Sequence, residues 1–185
     1  GLAEKLIPNM HVGTAKMAEF LNASGKVIFE LEGPVDGKSG WASHYFFHQP
    51  EVEACLDAAA RAHQCVEVRN NARVIALDEQ DESVTVQIED PRNGKKSSAT
   101  AKFIIGADGA SGFVRDAAGI VYDDLGFDEE WLVLDIIVND WSTTDLPDIT
   151  QQICDPKRPI THVTMPGDRV RWEFRKMPGD TKEHL

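Results

Sequence analysis

The run FIIGADGASGFVRDAAGI, from Phe103 to Ile120, constrains this chain more than any other stretch. An apolar segment leads into two glycines around an aspartate. Val114, Ala117 and Ala118 then follow at helical spacing, with Gly119 as a stop, so the pattern predicts a strand, a tight turn and a short helix. In open α/β sheets such a junction is where ligands bind, because backbone N–H groups and the helix dipole converge there. The plain alternative is an ordinary strand-turn-helix connection with no ligand.

The surrounding pattern is mixed. KVIFEL (Lys26 to Leu31) reads as a strand, followed by the turn-rich EGPVDGKSG. Around Pro50, Glu51 and Glu53 suit the first turn of a helix, and Val52, Cys55, Leu56, Ala59 and His63 recur as an apolar stripe expected to pack on a sheet. VEVR, ARVIALDE and SVTVQIED then read as strands, with Val84, Val86 and Ile88 in strict alternation. The turn DPRNGKK makes SVTVQIED and SSATAKFII an antiparallel hairpin. Further strands are expected in WLVLDIIV (Trp131 to Val138, apolar enough to be covered on both faces), DITQQICD, ITHVTMP and RVRWEFRKM. A composition shift near Asp123 to Glu130 marks a boundary between an α/β unit and a sheet-dominated one.

With 185 residues and 42% hydrophobic content, the chain can bury a sizeable core. No stretch approaches the roughly 18 apolar residues that span a bilayer, and the start has no signal-peptide layout, so a cytoplasmic location is expected. A formal charge of -12 disfavours nucleic acid and anionic membrane as partners. Cys55, Cys65 and Cys154 are odd in number and form no Cys-x-x-Cys pair, so they read as reduced thiols.

Other candidates have simple structural readings. His44 and His48 would share a strand face about 13 Å apart, too far for one metal, so no metal site is expected. His63 reads as a packed histidine of the helix stripe. GASGF lacks the spacing of a nucleophile elbow around Ser111. Asp135 interrupts an apolar strand and is either an exposed edge position or a buried carboxylate with a partner. Arg169, Arg171 and Arg175 alternate with Val170, Trp172 and Phe174 as the basic face of a half-exposed strand.

Taken together, FFHQPEVEACL, FIIGADGASGFVRDAAGI and the tail QQICDPKRPITHV with RVRWEF and MPGD resemble the FAD-dependent aromatic hydroxylases. These are single-component flavoprotein monooxygenases, and the similarity is greatest to their 3-(3-hydroxyphenyl)propionate hydroxylase branch. The resemblance implies an α/β fold of the α+β kind: a partial FAD-binding Rossmann-like unit with a β-meander, plus a substrate-domain sheet of mixed and antiparallel strands. It groups residues 44–125 as the middle of the FAD-binding domain, and 1–43 with 126–185 as the substrate-domain sheet and connections. It also implies cofactor-binding roles. Asp108 and Gly109 would lie at the FAD pyrophosphate and serve NAD(P)H use, and Arg115 would steady their turn. Gln49 would reach the ribityl or phosphate region, and Val74 would stand near the adenine. No catalytic residue is implied.

Two departures from the family pattern stand out. Many members carry Arg or Asn and then Ser after Asp-Gly-Ala, where this chain has Ser111 and Gly112, so the helix cap is expected to differ. The Gly-x-Gly-x-x-Gly unit is absent from these residues, and the family's later Gly-Asp motif has no counterpart. The chain is therefore expected to be an internal portion of a monooxygenase in which NAD(P)H reduces FAD and O2 supplies the hydroxyl for a small phenolic acid. Alone it is expected to bind FAD weakly or not at all. The alternative is a non-catalytic α/β module that self-associates, as a homodimer for example, or binds a partner.

Overall fold

A computed structural model describes residues 1–181. In chain order the elements are α1 (Ala3–Leu6), β1 (Met10–Val12), β2 (Lys16–Asn22), β3 (Val27–Glu32), β4 (Tyr45–Phe47) and α2 (Gln49–Arg61). They continue with β5 (Arg73–Gln80), β6 (Ser83–Glu89), β7 (Lys96–Ala101), α3 (Phe113–Ala117), β8 (Trp131–Ile137), β9 (Thr150–Cys154), β10 (Ile160–Thr164) and β11 (Arg169–Arg175). The fold is mixed α/β, dominated by strands, as the sequence implies.

Two compact units result: residues 1–63 with the described residues from 128 on, and residues 64–127. Residues 44–63, which the resemblance groups with the FAD-binding portion, cluster with the first unit. That unit holds a β1–β4 pair and a six-stranded sheet of order β3-β2-β9-β10-β11-β8. All of its neighbours are antiparallel except β2 and β9. The second unit is the antiparallel meander β5-β6-β7, with α3 against β5.

Alternation decides which side chains point inward. In β6, Val84 is buried, while Thr85 on the opposite face shares a hydroxyl hydrogen bond of 2.9 Å with Thr100. The β6–β7 turn is held by Asp90, which accepts from the Arg92 guanidinium and amide. These bonds, the guanidinium first, bring its carboxyl to about 2. In the larger sheet, the register sets Glu19, Gln151, His162, Trp172 and Leu134 in one row across five strands. Leu21, Met165 and Val170 are buried, and His162 is 0% exposed.

Several sequence expectations are corrected. VEVR forms no strand: residues 66–69 have no regular secondary structure, and Glu67 and Arg69 form an ion pair. The arm SSATAKFII stops at Ala101, leaving Phe103 85% and Ile105 89% exposed, because no described strand pairs beyond that point. WLVLDIIV is an edge strand with mostly exposed residues, not one covered on both faces. The stripe of α2 is not buried against a sheet: none of the helix's residues is buried, and Leu56 is exposed. His63, past the helix end, is exposed rather than packed. Conversely, β2 was hidden in sequence because KMAEFLN mixes charge and apolar residues without clear period.

Burial lowers the pKa of His162, so the fold favours the neutral imidazole. The unfolded chain takes up that proton near pH 6.5, while the folded one resists it. Stability should therefore be fully present above about pH 6.5 and decline as pH falls below it, before the carboxylates titrate. Thermal midpoints measured between pH 7.5 and 5 check this, and His162→Phe should flatten the profile.

Candidate functional site

The Asp-Gly turn is built from glycines with different tasks. Gly109 has φ +82°, a conformation that side chains with a Cβ rarely adopt, and open space lies beside it. Gly106 allows close packing: a Cβ there would stand 2.8 Å from Cβ of Val114. Gly112 is buried, and a Cβ on it would meet Asp108 Oδ1 at 2.5 Å and the Gly109 carbonyl oxygen at 2.9 Å.

Gly112 is also the residue that begins α3 and has no side chain to cap it. Asp108 does so from a distance: its Oδ2 accepts from the Val114 N–H at 3.1 Å. That bond first, then the amides of Asp108 and Phe113 and the charge of Arg115, hold the Asp108 carboxyl below the usual range. Asp108 is thus an ionised, turn-fixing acceptor. Arg115 closes the other side, donating through Nη1 to the Ala110 carbonyl, pairing with Asp116 at 2.6 Å and lying 4.8 Å over the Tyr122 ring. The sequence placed these residues together, but not the reach of Asp108 over the intervening turn, which residue spacing does not reveal.

Gly112→Ala should therefore displace the Asp108 carboxylate while leaving the meander intact. The expected result is faster hydrogen exchange at the Val114 amide and a rise of the Asp108 carboxyl toward the ordinary aspartate range, both read by NMR. An unchanged titration of Asp108 would remove this role for Gly112.

Val74 and Asp108 border the same apolar cleft of about 840 Å3, which lies along the meander face and also touches Val84, Ala99 and Ile105. Gln49 belongs to the other unit, exposed in the first turn of α2, where its Nε2 donates to Glu53 at 2.7 Å. The structure thus brings Val74, Asp108, Gly109 and Arg115 into one unit and keeps Gln49 in the other. Side-chain-free backbone at Gly109, with open space beside it, fits the close approach of a phosphate, so the turn suits part of an FAD site.

Of the remaining candidates, Asp135 is the exposed-edge case: its side chain is 48% exposed and receives two bonds from Arg171, at 2.7 and 3.1 Å. Arg169 and Arg175 pair with Glu51 and Glu129. Among the described residues no group of His, Cys, Asp and Glu is arranged to hold a metal ion. His162 escaped sequence reading because a lone histidine in ITHVT carries no motif, although it shares a strand face with Ile160 and Thr164.

Comparison with known proteins adds a frame to this geometry. A family model described as FAD binding domain matches residues 1–183. The "Probable NADH-specific resorcinol 4-hydroxylase" of Rhodococcus jostii (strain RHA1) is 33% identical over 188 residues, covering 100% of this chain and 34% of that protein. The 3-(3-hydroxy-phenyl)propionate/3-hydroxycinnamic acid hydroxylase of Shigella sonnei (strain Ss046) is 27% identical, covering 100% of this chain and 32% of that protein. The chain therefore spans about a third of the length of the curated relatives it matches. The crystal structure of p-nitrophenol 4-monooxygenase PnpA from Pseudomonas putida DLL-E4 shares the fold, with a TM-score of 0.76 at 19% identity over 99% of this chain and 46% of that one.

Proposed function

Because this chain belongs to the FAD binding domain family, we propose that it is part of an FAD- and NAD(P)H-dependent monooxygenase that hydroxylates a phenolic aromatic acid such as 3-(3-hydroxyphenyl)propionate. The names of the resorcinol and hydroxyphenylpropionate hydroxylases among its relatives support a phenolic substrate with O2, and the NADH-specific relative supports a nicotinamide reductant. The observation that carries the reading is the Asp108-Gly109 turn, with its ionised cap and bare backbone.

On this reading residues 44–125 serve the FAD-binding portion, and 1–43 with 126–185 the substrate portion. Bound FAD supplies the oxygen-activating chemistry. Gly109 lets the backbone approach the pyrophosphate, Asp108 and Arg115 fix the turn, Gln49 reaches the ribityl or phosphate region and Val74 borders the adenine. The six-stranded sheet holds the phenolic ring. The protein works in the cytoplasm, where Cys55, Cys65 and Cys154 stay reduced; all three are free thiols, and no described helix is long and apolar enough to cross a membrane.

The test is a chain extended to the length of its relatives, assayed for NAD(P)H oxidation coupled to hydroxylation of 3-(3-hydroxyphenyl)propionate. Asp108→Ala should leave the fold intact, weaken FAD and slow flavin reduction at least about tenfold. Unchanged activity would make the turn structural only. A second reading has its own observation: the exposed Phe103 and Ile105 favour a module that self-associates.

A further inference from the structure

The start of α2 is tied to the rest of its unit by charge. β4 ends at Phe47, next to His48, and pairs with β1 outside the six-stranded sheet, so no backbone ladder joins this turn to that sheet. His48 has an extended backbone and gives the helix no side-chain cap, and no residue of the helix is buried. Neither capping nor deep apolar packing therefore fixes the first turn in place.

Ionic contacts do so instead. Glu51 Oε1 lies 3.3 Å from Nη2 of Arg169 on β11, and 3.4 Å from Nδ1 of His48, a buried atom with no hydrogen bond of its own. Arg169 pairs with Ile137 across the β8–β11 ladder and precedes Val170, which is 1% exposed, so its backbone is well anchored. Two residues on, Arg171 shares its face of the strand and donates two hydrogen bonds to Asp135 of β8. Those bonds first, then the charges of Arg171 and His48, keep the Asp135 carboxyl below its usual range. Arg169, Glu51, His48, Asp135 and Arg171 thus form one run of basic and acidic groups in alternation, from the sheet to the helix start and back.

We infer that the Glu51–Arg169 pair is a positioning latch: it fixes the first turn of α2 on the six-stranded sheet, and so sets where Gln49 stands for the cofactor. This rests on the reading of Gln49 given above and adds to it the residues that place it. Gln49 shares that turn with Glu51, and its own side chain donates along the helix to Glu53 rather than to the sheet. Partly exposed ion pairs of this kind are worth up to about fivefold in an equilibrium. That is too little to hold the fold together, and enough to choose between two placements of an exposed turn.

Two measurements test it. In the 185-residue chain, Arg169→Gln should speed hydrogen exchange at the Val52 amide, which donates to the His48 carbonyl at 3.3 Å, by up to about fivefold without moving the thermal midpoint. Arg169→Lys, which keeps the charge, should restore much of the protection. In the chain extended to the length of its relatives, Arg169→Gln should weaken FAD by a similar factor, read by quenching of flavin fluorescence, and should have no further effect in the Gln49→Ala background. A merely structural contact would weaken FAD equally in both backgrounds, and that result would overturn the proposal. Unchanged exchange at Val52, or protection lost across the whole chain, would overturn it too. A faster-exchanging turn in a chain whose FAD does not bind, or binds indifferently to Gln49→Ala, sinks the cofactor role of Gln49 and the purpose of the latch with it. Unchanged exchange beside a clear loss of FAD in Gln49→Ala sinks the latch alone.

Discussion

Mixed with one equivalent of FAD and passed through a desalting column, the 185-residue chain should emerge without flavin absorbance. The turn at Asp108 and Gly109 offers bare backbone to a phosphate, but α3 is a single short helical segment. The cleft that Val74 shares with Asp108 is mostly apolar, so it supplies few donors for a pyrophosphate, and its carboxylate, Asp108, is already engaged in capping α3. Nothing in the sequence matches the glycine-rich unit that provides those groups elsewhere in nucleotide-binding folds. Ordering a long dinucleotide against one wall loses more freedom than a few contacts recover. Affinity should therefore be no better than the millimolar range, about −4 kcal/mol. Retention of near one equivalent of flavin after desalting would overturn this, and would mean that the two units described here suffice for the cofactor.

The second large effect concerns association. Purified alone, the chain should sediment as a concentration-dependent dimer or larger species, and Phe103→Glu combined with Ile105→Lys should return it to monomer. Phe103 and Ile105 are among the most exposed apolar side chains described, and Val121, Leu125 and Phe127 add to the open apolar surface of the same unit. Burying a side chain of this size contributes about 1.5–3 kcal/mol. Two such positions in each copy of a dimer, even at half that value, change its dissociation constant by at least about a hundredfold. Each substitution places a charge where copies would meet, and burying it there is costly. Sedimentation velocity across a range of concentrations reads the outcome directly. If the substituted and unsubstituted chains sediment alike, the exposed segment is not where copies meet.

The same segment explains where sequence reading succeeds and where it stops. Strict alternation in SVTVQIED, the Asn93-Gly94 turn and the helix opening at Gln49 and Pro50 are local signals, and each element forms as expected. The apolar run FII carries the signature of a buried strand, yet whether such a strand forms depends on partners far away in sequence, and among the described residues it has none. The exposure of β8 is a matter of its place at the sheet edge, which composition does not encode. At the candidate site, the identity of Asp108, Gly109 and Arg115 was legible from residue type and order. The capping of α3 by Asp108 and the clearance it needs at Gly112 were not, because both arise from how the turn folds back on itself. Buried His162 lay further out of reach, since its neighbours Gln151 and Trp172 come from other strands.

The parallel pairing of β2 with β9 has a consequence for how the chain is made. The Gln151 to Glu19 bond closes a loop of 132 positions, and the whole unit of residues 64–127 lies within it. During synthesis the β2–β3 hairpin leaves the ribosome early and waits for its neighbour, while the meander β5-β6-β7 can close as soon as it emerges, because its strands pair in succession. Residues 150–175 thus complete the sheet that residues 16–32 began. A premature stop or a proteolytic nick between residues 128 and 149 would leave the meander folded and strand the hairpin with β2 as an open edge, the more aggregation-prone of the two products.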